Sequence, residues 1–500
     1  MSASAELFER AMTSLRTHIF DELPIRLLYF QRRDSGLDIA VLDRAGVYSH
    51  LSSKLRRLFN NEPLLAPRIV DWKTVSGWVS HLTSYAILSH VWLRTTPSEV
   101  TYNGWHQDSL DLSHPGYNKI TNFCSVAEAE HDVSLGWMDT VCIDKSSSAE
   151  LDESIRSMYK WYQNAKVCIT YLSTTITLED MDKDAWFTRG WTLQELFAPK
   201  RTKFYDAHWK ILVKGLDNDK EDTRIQKIIQ SATSITPIEL TSTLWVPISR
   251  KMQWAAKRCV SRGEDSAYSL MGIFHVTNMS IAYGEGAQLA FIRLLKEILS
   301  TTKTHVADLF NWGGEYTTTT SAVLPSNPLA YLMRSSAVTD MIRRVQATEP
   351  IILTHLGLRI PVLLLPATVG SPTPFESIGD YYANTTIQPS SRHQITHSYH
   401  ILDAQTRGKL AAWVFVVLNC GSDDNNVHIS KECFAVLFRD PTHSVFTYVI
   451  TSTGLKEKIS TKEPIVFQLN SRTASLPQRH YTIQKNQLGR HGMQFSSMYL

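Results

Sequence analysis

Between residues 85 and 209, four short apolar runs alternate with segments of helical period, and this alternation restricts the possible folds more than any other feature. The runs are YAILSHVW (85–92), LGWMDTVCID (135–144), VCITYLS (167–173) and TKFYDAHW (202–209). Each is short for a helix and largely lacks the polar alternation of a half-exposed strand, which predicts strands covered on both faces. Strand, helix, strand, helix, strand in this order implies a parallel sheet with right-handed crossovers and flanking helices. Ligands of such sheets sit outside the carboxyl ends of the strands. Ser89, Asp144 and a helix carrying Glu195 are expected to converge there, with His90 and Trp92 at the mouth of the first strand and Asp139 within the second.

Two of the intervening segments carry their own signals. SSSAELDESIRSMYKWYQNAK has a capping-box pattern from Ser147 to Glu150 and keeps Leu151, Ile155, Met158, Tyr162 and Ala165 on one stripe. AWFTRGWTLQELFAPK (185–200) reads as one short helix, capped by Asp182 or Asp184 and stopped at Pro199. On it Trp186, Gly190, Leu193 and Phe197 face a core, while Trp191 and Glu195, four apart, share a neighbouring face. A carboxyl beside an indole sits in a partly dry setting that raises its pKa and suits it to chemistry. The competing reading is a solvated glutamate, or one paired with Arg189 or Lys200.

The flanks differ in texture. Residues 1–84 open with a helix and then pair PIRLLYF with LDIAVL in a hairpin. From 216 to 300 the period is helical. YGEG (283–286) lacks both the lysine of a phosphate loop and a preceding strand, so it reads as a turn and helix start. Beyond 301 short alternating runs predict a mostly antiparallel β domain. The 500 residues exceed one hydrophobic core and carry a net charge of +3, without a basic and aromatic stripe that would point to nucleic acid. The six cysteines, at 124, 142, 168, 259, 420 and 433, have no zinc-ligand spacing and Cys142 and Cys168 fall in core runs. With no secretory h-region and no run long enough to span a bilayer, a cytoplasmic protein is expected.

The blocks YAILSHVW, GWMDTVCID with its capped helix, WFTRGWTLQELFAPK, and RGEDSAYSLMGIF with YGEG make the chain resemble the fungal heterokaryon incompatibility, or HET, domain proteins over roughly residues 85–300. It departs from them in lacking the glycine that often follows Trp92, and in having Lys145 where an asparagine–glutamine pair is frequent. HET domains in turn resemble TIR domains, which implies a TIR-like, flavodoxin-like sheet at 85–215. A flanking segment at 1–84, a helical HET-associated region at 216–300 and the β-rich domain at 301–500 complete the expected organisation. In TIR enzymes that hydrolyse NAD, a glutamate in a W-x-x-x-E pattern supports cleavage of the nicotinamide–ribose bond, and Trp191 to Glu195 matches that pattern. The resemblance therefore implies an NAD glycohydrolase that self-associates on activation, meets an incompatibility partner protein and triggers programmed cell death in fungal innate immunity. The alternative it leaves open is a non-enzymatic assembly module. Glu195 is the catalytic candidate, and Ser89, His90, Trp92, Asp144, Arg189 and Trp191 are the substrate-binding candidates, with NAD as substrate, no cofactor and no metal.

Overall fold

A computed structural model describes residues 3–34, 36–61, 72–93, 98–106, 113–243, 245–301, 306–312 and 324–332, and beyond these the backbone of strands between Ile352 and Tyr499. The chain divides into two compact units. The first comprises Met1–Thr243, Arg258–Ser261 and Tyr268–Tyr283, and the second Leu244–Lys257, Arg262–Ala267 and Gly284–Leu500. The helical stretch expected at 216–300 is thus shared between them.

The first unit runs α1 (Ala3–Glu22), β1 (Arg26–Arg33), β2 (Gly36–Asp43), α2 (Arg44–Asn61), α3 (Trp72–Leu82), β3 (Ala86–His90), α4 (Tyr102–Trp105), α5 (Pro115–His131), β4 (Leu135–Trp137), α6 (Ser148–Asn164), β5 (Val167–Tyr171), α7 (Thr192–Phe197), β6 (Thr202–Tyr205), α8 (Thr223–Thr233) and α9 (Pro237–Thr241). Its six strands lie in the order β2-β1-β4-β3-β5-β6. The pairs β3–β4, β3–β5 and β5–β6 are parallel, and the β1–β2 hairpin joins the sheet antiparallel through β4. The hairpin is therefore part of the sheet.

Every residue of β3 and β6 is buried, as expected of strands covered on both faces. The core cluster threads Leu15 and Ile19 of α1, Leu27 and Phe30 of β1, Phe123 of α5, Trp137 of β4 and Tyr162 of α6. Its free cysteines Cys124, Cys142 and Cys168 are buried, and burial pushes the Cys142 thiol up to about 12, so it is inert packing. Ser147 caps α6 by accepting from the Glu150 amide at 3.4 Å, yet the expected box is open. The Glu150 carboxylate turns away to the Asp144 amide at 2.7 Å and to Arg26 of β1, a stronger, charged partner that sequence spacing does not show.

Among the parallel strands, the chain passes from β3 outward to β4 and then crosses back over β3 to β5 and β6. Winding reverses between β3 and β5, where Ser89 pairs with Thr170 and His90 with Tyr171. At such a reversal the connections leave in opposite directions and open a crevice at the strands' carboxyl ends.

The second unit holds the helix Ile248–Ala255 (α10), most of Asp265–Tyr268 (α11) and Ala287–Thr301 (α12). Its strands, from Ile352–Thr354 to Gln494–Tyr499, pair antiparallel in a nine-stranded and a three-stranded sheet. Among the described residues no helix is long and apolar enough to cross a membrane.

Gly136 of β4 is closely packed: a Cβ there would stand 2.8 Å from Phe123 Cε1 and 3.1 Å from Phe30 Cε1. Both rings lie in the core and have little room to give. Gly136→Ala is expected to destabilise the protein by about 1–3 kcal/mol, the usual cost of overpacking. The check is the shift of the urea midpoint at unchanged slope.

Candidate functional site

The carboxyl end of β3 is held by two separate hydrogen-bonded clusters. The first centres on Ser89, which is fully buried. Its Oγ accepts from the Trp186 indole Nε1 at 2.7 Å and donates to Glu195 Oε2. Tyr162 of α6 donates to the carbonyl of Leu88 at 2.9 Å and also borders the Glu195 carboxyl.

Trp186 and Glu195 reach Ser89 because the segment after β5 is not the single helix expected from its spacing. Residues Ala185–Thr188 form a 3-10 turn, and α7 begins only at Thr192. Asp184 caps the turn, accepting from the Trp186 amide at 2.9 Å and, through its other oxygen, from Thr174 N at 3.0 Å. The helix is broken by pairing elsewhere in the chain. Gly190 N donates to the Cys259 carbonyl at 2.9 Å and Cys259 N to the Thr188 carbonyl at 2.7 Å. Gly190 permits this approach, since a Cβ there would stand 2.5 Å from Val260 Cγ1. Arg258 Nη1 adds hydrogen bonds to the Arg189 carbonyl at 2.8 Å and Thr192 Oγ1 at 3.0 Å. At the far end of α7, the buried Lys220 ammonium donates to the carbonyls of Leu196 and Pro199, groups a helix terminus leaves unpaired.

Glu195 is 7% exposed, and burial is the main cause that drives its pKa up to about 8. The negative charge of Asp139 adds to the rise, while Ser89, Arg189 and Tyr162 oppose it. At neutral pH the group is therefore mostly protonated.

Asp139 organises the second cluster. One oxygen lies 3.2 Å from His90 Nε2 and the other accepts from Trp92 Nε1 at 2.9 Å. The Lys145 ammonium is 3.8 Å from Asp139 and 3.7 Å from the centre of the Trp92 ring. Burial would raise the Asp139 carboxyl, but Lys145, His90 and Trp92 outweigh it and hold it down at about 2. The tautomer of His90 follows from its neighbours. Lys119 Nζ, which can only donate, lies 3.1 Å from Nδ1, and the Asp139 carboxylate, which can only accept, faces Nε2. Lys119 also bonds the Val91 carbonyl at 3.2 Å and Glu99, so all three ammonium hydrogens have acceptors. With Nδ1 occupied, His90 is a spacer between fixed charges and is not placed to act as a base.

The sequence candidates therefore separate. Ser89 and Glu195 meet directly, with Trp191 half-buried against the same core. His90 and Trp92 belong to the Asp139 cluster, and Trp92 is 39% exposed. Arg189 contacts Ser261 Oγ at 3.3 Å, and its charge reaches Glu195. Asp144 is turned into its own loop, accepting from Ser146 N at 2.9 Å. Trp186, Tyr162, Lys119, Lys145 and Lys220 carry no sequence signal that marks them as site residues. The first two lie on core stripes, and the lysines have no local pattern that distinguishes them from solvated ones. Among the described residues, no group of three or more His, Cys, Asp or Glu could hold a metal ion.

The sequence profile of heterokaryon incompatibility proteins (HET) matches residues 85–180, which run from just before β3 through α6 and β5. Residues 85–180 of the chain carry a HET domain. It is 38% identical over 231 residues to the vegetative incompatibility protein HET-E-1 of Podospora anserina, covering 43% of this chain and 16% of that protein. The chain thus matches only a small part of that relative's length. No solved structure matches the chain. Trp186 and Glu195 lie beyond the profile match, although Ser89, to which both bond, lies within it.

Within the second unit, Glu264 meets the two glycines of the YGEG turn. The amides of Gly284 and Gly286, both at positive φ, point at Glu264 Oε1 at 2.9 and 3.1 Å. Successive amides of this kind make an anion-binding concavity. Here the anion is the chain's own carboxylate, whose pKa is lowered by these and neighbouring backbone N–H groups. YGEG is accordingly a structural clasp ahead of α12.

The Glu195 proton has a consequence for stability. Its folded pKa of about 8 lies above the ordinary 4.5, so folding retains a proton that the unfolded chain releases. The stabilisation is full below about pH 4.5, is lost progressively as pH rises, and reaches its floor above about pH 8. Glu195→Gln, which is always neutral, lacks this loss. The melting temperature of the glutamine variant relative to wild type is expected to rise by at least several degrees between about pH 5 and about pH 9. A pH-independent difference in thermal melts would show that Glu195 is ionised at rest.

Proposed function

We propose that the chain is a heterokaryon, or vegetative, incompatibility protein whose HET domain triggers cell death by hydrolysing NAD at the nicotinamide–ribose bond. The HET match and the TIR resemblance support this reading. The observation that carries it is the Ser89–Glu195 contact, which presents one dry carboxyl at the carboxyl end of β3, where winding of the sheet reverses. The chemistry needs only one such group. Nicotinamide is cationic in NAD and leaves as a neutral molecule with the bonding pair, so it requires no general acid. Water adds its hydroxide to the ribose carbon and releases a proton. A carboxylate beside the ribose binds its hydroxyls and stabilises the oxocarbenium character of the transition state.

The resting proton on Glu195 fits a protein that must stay silent. A bound pyridinium cation favours the charged form of a neighbouring carboxyl, so substrate itself would promote ionisation. Self-association on activation and an incompatibility partner belong to the same reading. One observation favours the assembly-only alternative: Glu195 is nearly enclosed, and its bonds to Ser89 serve equally to fix the end of β3.

Nicotinamide release by the purified protein separates the two. The kcat/KM for NAD is expected to rise with pH toward a plateau above about 8, because this parameter reports the free protein's essential group. Glu195→Gln should fold and lose activity on the order of 10²-fold or more, with a flat profile. Wild-type turnover by the folded variant would end the catalytic assignment, and killing without NAD loss by either protein would favour assembly alone.

A further inference from the structure

The sheet of the first unit has two outer strands, and the chain treats them differently. Along β6 the outer edge is closed by the chain itself. Thr202 N donates to Asn218 Oδ1 at 3.1 Å, Phe204 N to Asp219 Oδ2 at 2.8 Å, and the Phe204 carbonyl accepts from Leu212 N at 3.0 Å. The other outer strand is β2, eight residues long and paired with β1 in unbroken register from Arg33–Gly36 to Arg26–Asp43. None of its residues is buried.

Register fixes which backbone groups of β2 face outward. Phe30, opposite Ile39, spends its amide away from β2, on the Ser134 carbonyl at 3.0 Å. Phe30–Ile39 is therefore a pair without hydrogen bonds and Arg33–Gly36, three positions on, is a hydrogen-bonded one, since the two kinds alternate along an antiparallel ladder. Gly36, Asp38, Ala40 and Leu42 therefore spend their amides and carbonyls on β1. Those of Leu37, Ile39, Val41 and Asp43 point away from the sheet. Among the described residues, no backbone or side-chain group bonds to the outward amides and carbonyls of Leu37, Ile39 and Val41. The devices that commonly blunt an edge, a lysine, a proline or a bulge, are missing from GLDIAVLD.

We propose that β2 is a docking edge for β2 of a second copy of this chain, the two strands pairing antiparallel about a twofold axis at Ala40. The strand is complementary to itself in this register. Ile39 of one copy stands opposite Val41 of the other in a hydrogen-bonded pair, and Leu42 opposite Asp38. The two Asp38 carboxylates lie four positions apart along the ladder, and each is already paired with Arg33 at 2.9 Å. Two six-stranded sheets become one continuous sheet. This inference does not depend on the NAD reading, and either proposed activity is compatible with it.

The test uses the full chain. Sedimentation equilibrium should show the mass rising toward that of a dimer with concentration. Ile39→Pro removes one outward donor without touching the β1 ladder, so it should keep the native melting transition and sediment as a monomer. A separate variant reads the register directly. Ala40→Cys places two thiols on the axis, in a pair without hydrogen bonds whose Cα separation suits a disulfide. Oxidised glutathione as the two-electron acceptor should convert it to a covalent dimer, while Asp38→Cys and the wild type, which carries the exposed Cys259, should not form one. A wild type that stays monomeric at its highest soluble concentration would overturn the proposal. So would a dimer unaffected by Ile39→Pro, or an Ala40→Cys protein that cross-links no faster than Asp38→Cys. If a different protein pairs with the edge instead, the first and last of these results follow.

Discussion

One hydroxyl ties the end of β3 to the segment that follows β5. Ser89 Oγ accepts from Trp186 and donates to Glu195, so a single atom at the end of β3 pins both halves of the segment that follows β5. The 3-10 turn carrying Trp186 and the helix carrying Glu195 are otherwise tied to different parts of the chain, through Asp184 on one side and Lys220 on the other. All three partners are buried, and removing Ser89 would leave the Trp186 indole N–H without its acceptor. The close approach of Gly190 to Cys259 and Val260 lets the segment bend enough for both side chains to reach the same oxygen.

The carboxyls of Asp139, which is half-buried, and Glu195, which is buried, show how the environment chooses a charge state. Asp139 and Glu195 both suffer desolvation, which favours the neutral acid. Asp139 has a histidine and an indole N–H on its two oxygens and the Lys145 cation nearby, and it stays ionised. Glu195 has hydroxyl neighbours and the charges of Arg189 and Arg258 acting on it, and desolvation still wins. The fixed charge of Asp139 then works against a second negative charge at Glu195. One acid is thereby committed to holding His90 and Trp92, and the other is left able to change state.

Much of this was legible in the sequence because it depends on local period. The four apolar runs announced β3 to β6, the stripe from Leu151 to Tyr162 announced α6, and the YGEG turn ahead of α12 follows from its glycines. Other features depend on contacts far along the chain. The break at Gly190 is set by Cys259, some seventy residues away, and helical spacing from Trp186 to Phe197 cannot register it. Glu150 fits a capping box in sequence but finds Arg26 in space. Lys119 looks like any helix lysine until His90 and Glu99 converge on it. Trp186 was legible as core, but that its indole N–H is spent on Ser89 was not.

The account stands on Glu195 being a neutral carboxyl at rest, hydrogen-bonded to Ser89 within a dry cluster. Infrared difference spectroscopy between wild type and Glu195→Gln observes that proton directly, through the C=O stretch of a carboxylic acid. The band is expected in the wild type at about pH 6 and should give way to carboxylate bands as pH passes through about 8. A carboxylate signal already complete at about pH 6 would contradict the account, because it would place Glu195 among the ordinary ionised glutamates of a folded surface.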